Sequence, residues 1–529
     1  MSTKKIQVWL PLLFSLTMIA GMYFGFTMRD AFPNKGFFSL EKRRPVAEII
    51  DLIRNKYVDE VNIESLTDTA INAMLHKLDP HSVFIPADQL QAINENLAGK
   101  FYGIGVEFNI FEDTINVINV HKDSPGDHAG IMTGDKILKA GDSIVAGVKT
   151  TGEKIRKLLR GDRGSKVTLV LLRNGRILTV SVTRDAIPIK SVDAAYMMDS
   201  TNGYIRLNKF STQTYREFME ALEGLKKKGL QKLILDLRDN GGGVLEEAVE
   251  IADEFLEGDK LITYTEGKHS VRKEYRCRRQ GQFEKGTLVI LEDEGSASAS
   301  EVLMGALQDW DRATIIGRRS FGKGLVQEQF DLSDNSALRL TIARYYTPLG
   351  RSIQRAYSNG EKAYYDEITN RFHDGETLSA DSVHADKGKS YKTRAGKTLY
   401  GSGGITPDYF VAFDTAGFNP ANVTISVKGT LGTFAYQYFL HNQQRINAFR
   451  SPIDFNTNFQ FNETDWNLFR TQLTKDSIPL TVMLPKEKER LAKNIKANIA
   501  RLAWGTQGFF EVLNANDEGI KKAMEIFRQ

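Results

Sequence analysis

The apolar run Thr287-Leu-Val-Ile-Leu291 has the length of a buried strand, and Gly295-Ser-Ala-Ser-Ala-Ser-Glu301 follows it within a few residues. Val302-Leu-Met-Gly-Ala-Leu307 then carries the chain on to Trp310 with the look of a buried helix. A strand, a turn of glycine, alanine and serine, and a helix form one unit of an α/β fold. The turn is expected at the carboxyl end of the sheet, where open α/β sheets bind ligands. Its small side chains leave room for a second backbone to approach. The helix start supplies unpaired N–H groups and the positive end of a dipole. Ser298-Ala-Ser-Glu301 also fits a capping box, the plainer alternative, in which serine caps the helix and glutamate returns the bond.

A second loop answers the first. Ser320-Phe-Gly-Lys-Gly-Leu-Val-Gln327 places Lys323 between two glycines at the entrance to an expected strand. A serine hydroxyl is a weak nucleophile until a base takes its proton, and a lysine whose charge is disfavoured by burial can be that base. None of the eight histidines lies near the serine turn in sequence, and His81 and His121 fall in other modules. The pair therefore reads as Ser298 and Lys323, with Gln327 four residues on to aim the amine. The turn Asp236-Leu-Arg-Asp-Asn-Gly-Gly-Gly243 offers a backbone N–H that glycine can turn inward. Together with the N–H of Ala299 it would make an oxyanion hole. No Gly-Lys-Ser/Thr follows the glycines, which excludes a phosphate-binding loop.

The rest of the chain divides around this unit. At 529 residues it is too long for one core. Residues 187–415 repeat strand–turn–helix units, with Lys232-Leu-Ile-Leu-Asp-Leu237 as a second buried strand and Leu245–Phe255 as an amphipathic helix. Residues 101–186 change to short β-rich runs between glycine turns. Tyr102-Gly-Ile-Gly105, Ser124-Pro-Gly-Asp-His-Ala-Gly130 and Gly134-Asp-Lys-Ile-Leu138 occur there in the order of a PDZ domain, which this segment resembles. That resemblance makes Tyr102, Gly103, Ile104, Gly105 and Val106 the site for a peptide carboxylate and its last side chain. Residues 30–100 and 416–529 read as helical. In the latter Leu491, Ile495, Ile499 and Leu502 share one face and Ile520, Met524 and Phe527 another, with no chemistry visible.

Net charge of +4 is close to balance for this length, so no nucleic-acid partner is implied. The single cysteine, Cys277, excludes an internal disulfide and a cysteine metal cluster. No metal or cofactor is expected. Lys4 and Lys5 precede an uncharged stretch, residues 6–28, closed by Arg29. That is roughly enough to span a bilayer, about twenty residues, and the charges place the body outside the cytoplasm. Residues 1–29 are thus expected to anchor the chain at a membrane, with the body outside the cytoplasm, which in a bacterium is the periplasmic face of the inner membrane. A cleaved signal with a soluble periplasmic product is the alternative.

Taken together, Leu78-Asp-Pro-His-Ser82, the PDZ set, Asp236–Gly242, Gly295–Glu301, Phe321-Gly-Lys-Gly324 with Gln327, Tyr345–Gln354 and Gly404-Ile-Thr-Pro-Asp408 resemble the carboxyl-terminal processing peptidases, or tail-specific proteases. The resemblance implies a crotonase- or ClpP-like α/β core with an inserted PDZ domain and helical flanks. It implies Ser298 as nucleophile, Lys323 as base, Gln327 as its orienting residue, and Gly242 and Ala299 as oxyanion donors. Substrates would be proteins with exposed C-termini, and an oligomer or adaptor is left open. The alternative from another class is a non-catalytic PDZ scaffold that only binds tails.

Overall fold

The computed structural model describes residues 9, 11, 12, 14–24, 45–382, 388–415, 420–479 and 485–529. They form two compact units, residues 1–74 and residues 75–529. The first holds the helix Pro45–Lys56 and all but the last residue of the helix Ile63–Leu75. The expected membrane span, residues 6–28, lies partly outside the described residues. Residues 14–24 are helical and exposed, and among the described residues no helix is long and apolar enough to cross a membrane.

The second unit is built on a six-stranded sheet. Its order is Val192–Met197, Asn202–Leu207, Lys232–Asp236, Thr287–Glu292, Thr314–Gly317 and Tyr409–Phe410. The first pair is antiparallel and the remaining pairings are parallel. Side chains alternate across a strand, which gives the sheet two buried faces. Ile205, Leu233, Leu235, Leu288 and Ile290 pack with the helices Thr214–Lys226, Leu245–Asp253 and Ala299–Asp309. Tyr204, Ile234, Val289 and Leu291 face the other way, onto Ile520, Ala523 and Phe527 of the last helix, Glu518–Arg528. That helix, grouped on sequence with the C-terminal region, is by packing part of this core. Full burial of a residue such as Ile234 or Phe527 stabilises by about 1.5–3 kcal/mol.

A second, antiparallel sheet of five strands flanks the first. It pairs Val83–Ile85, Ala337–Tyr346, Leu261–Glu266 and Lys273–Arg276 in that order, with Leu325–Asp331 also on Ala337–Tyr346. The serine turn leaves the first sheet and the lysine loop enters the second, so the candidate site lies where the two meet.

The PDZ segment forms its own six-stranded antiparallel sheet around Ile104, Val117, Ile137, Leu169 and Leu171. Its flanking strands, Lys100–Gly103 and Asp185–Pro188, pair with each other at the point where the segment leaves and rejoins the chain. The described residues of 420–479 and 485–514 are mostly helical, around an aromatic core of Phe434, Phe455, Phe459, Trp466 and Phe469. This layer touches the PDZ sheet. The Tyr436 hydroxyl donates to the Val117 carbonyl at 3.4 Å, its ring lies 5.2 Å from that of Phe111, and Arg501 pairs with Glu107 at 3.2 Å. Lys475 pairs with Glu112 at the tip of the same hairpin.

Candidate active site

The strand Thr287–Glu292 ends in a turn fastened by its own side chains. The Asp293 carboxylate accepts the N–H groups of Asp239 and Gly295 at 2.9 and 3.0 Å. Ser296 is fully buried and donates to the Leu237 carbonyl at 2.8 Å. Ser300 is also fully buried and donates to the Asn240 carbonyl at 2.9 Å. Two of the three serine hydroxyls thus tie this turn to the glycine turn, and Ser298 alone of the three is partly exposed. Ser298 sits immediately before the helix Ala299–Asp309 with φ 57° and ψ −113°. A non-glycine residue held there stores on the order of 1–3 kcal/mol of backbone strain, which the surrounding bonds must offset.

Glu301 supplies most of those bonds. Its carboxylate has no exposure and accepts four donors: Ser298 N–H at 2.9 Å, Lys323 N–H at 2.9 Å, Gly322 N–H at 2.7 Å and the Ser320 hydroxyl at 2.5 Å. The capping-box reading of Glu301 is therefore correct in its return bond to the Ser298 N–H and too narrow. The same carboxylate gathers the lysine loop. Burial pushes its pKa up, against the four bonds that favour the ion. Tyr345 closes the other side, its buried hydroxyl lying 3.1 Å from the Ser298 carbonyl and bonded also to the Lys323 carbonyl. The two loops are joined through their backbones, with no hydrogen bond between the Ser298 hydroxyl and the Lys323 amine in this structure.

Burial is the main cause that lowers the Lys323 pKa; the Arg339 guanidinium adds to it, and Glu301 and Asp79 oppose it. A lysine in this state gives up its proton more readily than one in water, as a general base must. Gln327 lies on the strand Leu325–Asp331 and donates to the Thr341 hydroxyl at 3.4 Å, so its observed bond runs to the neighbouring strand and not to Lys323.

Gly242 has φ 93°, and a β-carbon there would stand 2.6 Å from the Ala297 carbonyl oxygen and 2.9 Å from the Ala299 nitrogen. The glycine turn and the start of the helix are therefore in direct contact, as an oxyanion hole drawn from both requires. One detail differs from expectation. The Gly242 N–H donates to Asn240 Oδ1 at 2.9 Å. Asparagine side chains commonly capture the N–H two residues on, and Asn240, fully buried, does so here while its amide donates to the Leu207 carbonyl.

Leu78-Asp-Pro-His-Ser82 is one of the motifs of the resemblance, but nothing in the sequence gives its residues a role. Asp79 Oδ1 accepts the N–H groups of His81 and Ser82, and its Oδ2 accepts the Ser82 hydroxyl at 2.6 Å. The strand Val83–Ile85 then delivers this loop to the lysine side of the site. His81 Nε2 is 2.9 Å from the Tyr364 hydroxyl. Burial first, then the charge of Lys323, lower the His81 pKa to about 3. At the end of the strand Lys232–Asp236, the buried Asp236 is held by Arg238, Arg206 and the Tyr204 hydroxyl at 2.7, 3.0 and 2.7 Å. These partners outweigh burial and hold its carboxyl well below the usual range.

Tyr102 and Gly103 end the flanking strand Lys100–Gly103, and Val106 begins the first strand of the PDZ sheet, Val106–Phe111, which has a single ladder partner, Thr114–Val120. Its other edge is the one a peptide strand would join. The carbonyls of Ile104 and Gly105 accept Gly126 N–H and His121 N–H at 2.7 and 2.9 Å, which turns both into the domain. Ile104 itself is 2% exposed and belongs to the domain core. Burial, with Asp253 adding, raises the Cys277 thiol to about 12, which removes it as a nucleophile. Among the described residues no group of three His, Cys, Asp or Glu could hold a metal ion.

Comparison with known proteins places segments of the chain in families. Residues 201–359 match peptidase family S41, residues 103–183 the PDZ domain, and residues 30–89 the N-terminal domain of the activating protease CtpB. Residues 423–505 match a family of unknown function. The chain is 36% identical over 313 residues to the carboxy-terminal-processing protease of Bartonella bacilliformis, covering 58% of this chain and 71% of that one. It is 33% identical to the carboxy-terminal processing protease CtpA of Bacillus subtilis, covering 57% and 65%. A probable CtpA-like serine protease of Staphylococcus saprophyticus is also 33% identical, covering 59% and 63%. Among solved structures, the photosystem II D1 C-terminal processing protease matches with a TM-score of 0.34 at 30% identity, covering 58% of this chain and 83% of that one. The chain belongs to the carboxy-terminal-processing serine proteases of peptidase family S41, with a PDZ domain ahead of its peptidase core.

Proposed function

We propose that the chain cuts proteins near their C-termini with Ser298 and Lys323, on a crotonase-like core. The observation that carries this reading is the meeting of the two loops on Glu301 and Tyr345, with the lysine half-buried and its pKa lowered by desolvation. The Ser298 oxygen attacks the scissile carbonyl carbon as the neutral Lys323 amine takes the hydroxyl proton. The same amine then returns that proton to the departing nitrogen, and the tail leaves with a new N-terminus. Water gives a proton to Lys323 as it attacks the acyl carbon, the ester bond to Ser298 breaks, and Lys323 returns that proton to the Ser298 oxygen. The Ala299 N–H, at the helix start, and an N–H of the 241–243 glycines face the developing oxyanion; Gly242 must exchange its bond to Asn240 to take part. Gln327 orients the amine once substrate is in place, since catalytic hydrogen bonds commonly tighten only in the complex.

Tails would be captured by strand addition at Val106–Phe111, with the N–H groups of Gly103, Ile104 and Gly105 holding the carboxylate. The uncharged residues 6–28 behind Lys4 and Lys5 support an extracytoplasmic body held at the membrane. Cleavage of a fluorogenic peptide and of a folded protein tail, in free-acid and amidated forms, tests the reading. Ser298→Ala should abolish both reactions, and amidation should slow the protein tail more than the short peptide. Residual cleavage by Ser298→Ala would overturn the dyad, and equal rates for acid and amide would remove the PDZ domain from selection.

A further inference from the structure

We propose that His81 is a positioning residue for the Lys323 base, its ring forming the wall that keeps the amine out of water. This rests on the dyad reading above. The ring is placed by three separate sets of bonds. The Asp79 carboxylate shapes the loop through the His81 and Ser82 N–H groups. The Ser82 hydroxyl accepts Thr341 N–H at 3.1 Å, which fixes the loop to the strand Ala337–Tyr346. Thr341 is also the residue to which Gln327 donates, so the loop and the expected orienting residue share one anchor. Finally, His81 meets Tyr364 edge to face at 5.3 Å and Phe321 at 6.3 Å, while Phe321 and Tyr364 lie 6.1 Å apart. Phe321 is two residues before Lys323. Three mutually packed rings thus stand against the lysine loop, and Arg355 covers the Phe321 and Tyr364 rings at 4.1 and 3.8 Å.

The charges around the pair fit a wall and not a second base. Lys323 is acted on by Arg339 from the strand Ala337–Tyr346, Glu301 from the helix Ala299–Asp309, and Asp79 from the loop. His81 is acted on by Lys323, Asp79 and Arg355 and faces the Tyr364 hydroxyl from the helix Glu361–His373. A histidine that stays neutral through the working range adds no charge beside the amine. What it adds is bulk, and burial is the largest cause of the lowered lysine pKa. Removing the ring admits water, stabilises the ammonium form and raises that pKa.

The acid limb of the kcat/KM profile reports the base that must be unprotonated in the free enzyme. The test measures that profile for the full chain and for His81→Ala, His81→Phe and Lys323→Ala on the short peptide. His81→Ala should move the acid limb upward by about one pH unit or more, costing about tenfold at neutral pH, with recovery at alkaline pH. His81→Phe keeps the ring bulk and should hold the limb within about half a unit of the parent. Should His81→Ala not fold, His81→Gln, which is smaller and admits water, takes its place against His81→Phe. A uniform loss with an unmoved limb, or a limb shifted equally by Phe and Ala, would overturn the inference and leave the dyad standing. Activity in Lys323→Ala would instead sink the dyad reading itself.

Discussion

The backbone N–H of Ser298 and the backbone N–H of Lys323 end on one oxygen, Oε2 of Glu301, at 2.9 Å each. A single carboxylate on the first turn of the helix therefore sets the spacing between the nucleophile's turn and the base's loop. Glu301→Gln keeps the shape and replaces one acceptor oxygen with an amide that points N–H against N–H. A buried donor left unmatched costs about 1–3 kcal/mol. We expect a lower Tm and a fall in kcat of at least about tenfold; a variant with parental kcat would show that the spacing is set elsewhere.

Gly242→Ala asks for room that is absent. The new β-carbon would lie 2.6 Å from the Ala297 carbonyl oxygen and 2.8 Å from the Ser298 β-carbon, at a φ of 93° that L-residues avoid. The turn must shift, and Ser298 and Ala299 with it. Peptide cleavage should be lost while the PDZ domain still binds a tail peptide by fluorescence anisotropy. Normal turnover would mean that the glycine turn takes no part.

Ser300→Ala removes one hydrogen bond, to the Asn240 carbonyl, from a fully buried hydroxyl. The expected cost is about 1 kcal/mol of stability with most activity retained. Denaturant unfolding and the peptide assay separate the two. A dead but folded Ser300→Ala beside an active Ser298→Ala would place the nucleophile two residues further on.

Glu367 predicts an acid-sensitive joint. Its carboxylate meets Arg371, Arg319 and Arg355 at 3.0, 2.9 and 2.6 Å, and these partners outweigh burial and lower its pKa to about 2. A lowered acid contributes stability that is present above its unfolded value, 4.5, and is lost as pH falls toward about 2. Thermal melts across that window should fall more steeply for the parent chain than for Glu367→Gln. Parallel curves would mean that the charge is not coupled to folding.

Much of this arrangement was legible because it is local. The run Thr287–Leu291 with its turn and helix, the glycine-flanked Lys323 and the strand Lys232–Asp236 each carry their signal in neighbouring residues. What sequence hid is what only the meeting of two sheets creates. His81 comes under the charge of Lys323 because Val83–Ile85 pairs with Ala337–Tyr346, a pairing with no short-range signature. Glu301 read as a cap, since its second role needs a loop that arrives from the next strand. The bond from Gly242 to Asn240 follows a common local pattern and could have been anticipated. The amphipathic face of Glu518–Arg528 was visible, but nothing in its spacing names the sheet face it covers.

The backbone at Ser298 also limits which chemistry this position can ever hold. At φ 57° a side chain branched at its β-carbon is a genuine outlier, so threonine is refused by sterics before its hydroxyl is tried. Among residues that carry a nucleophile on the β-carbon, only serine and cysteine are unbranched. Exchange of the attacking atom is thus confined to oxygen for sulfur, and the fold, through one dihedral angle, narrows the choice of nucleophile ahead of any question of reactivity.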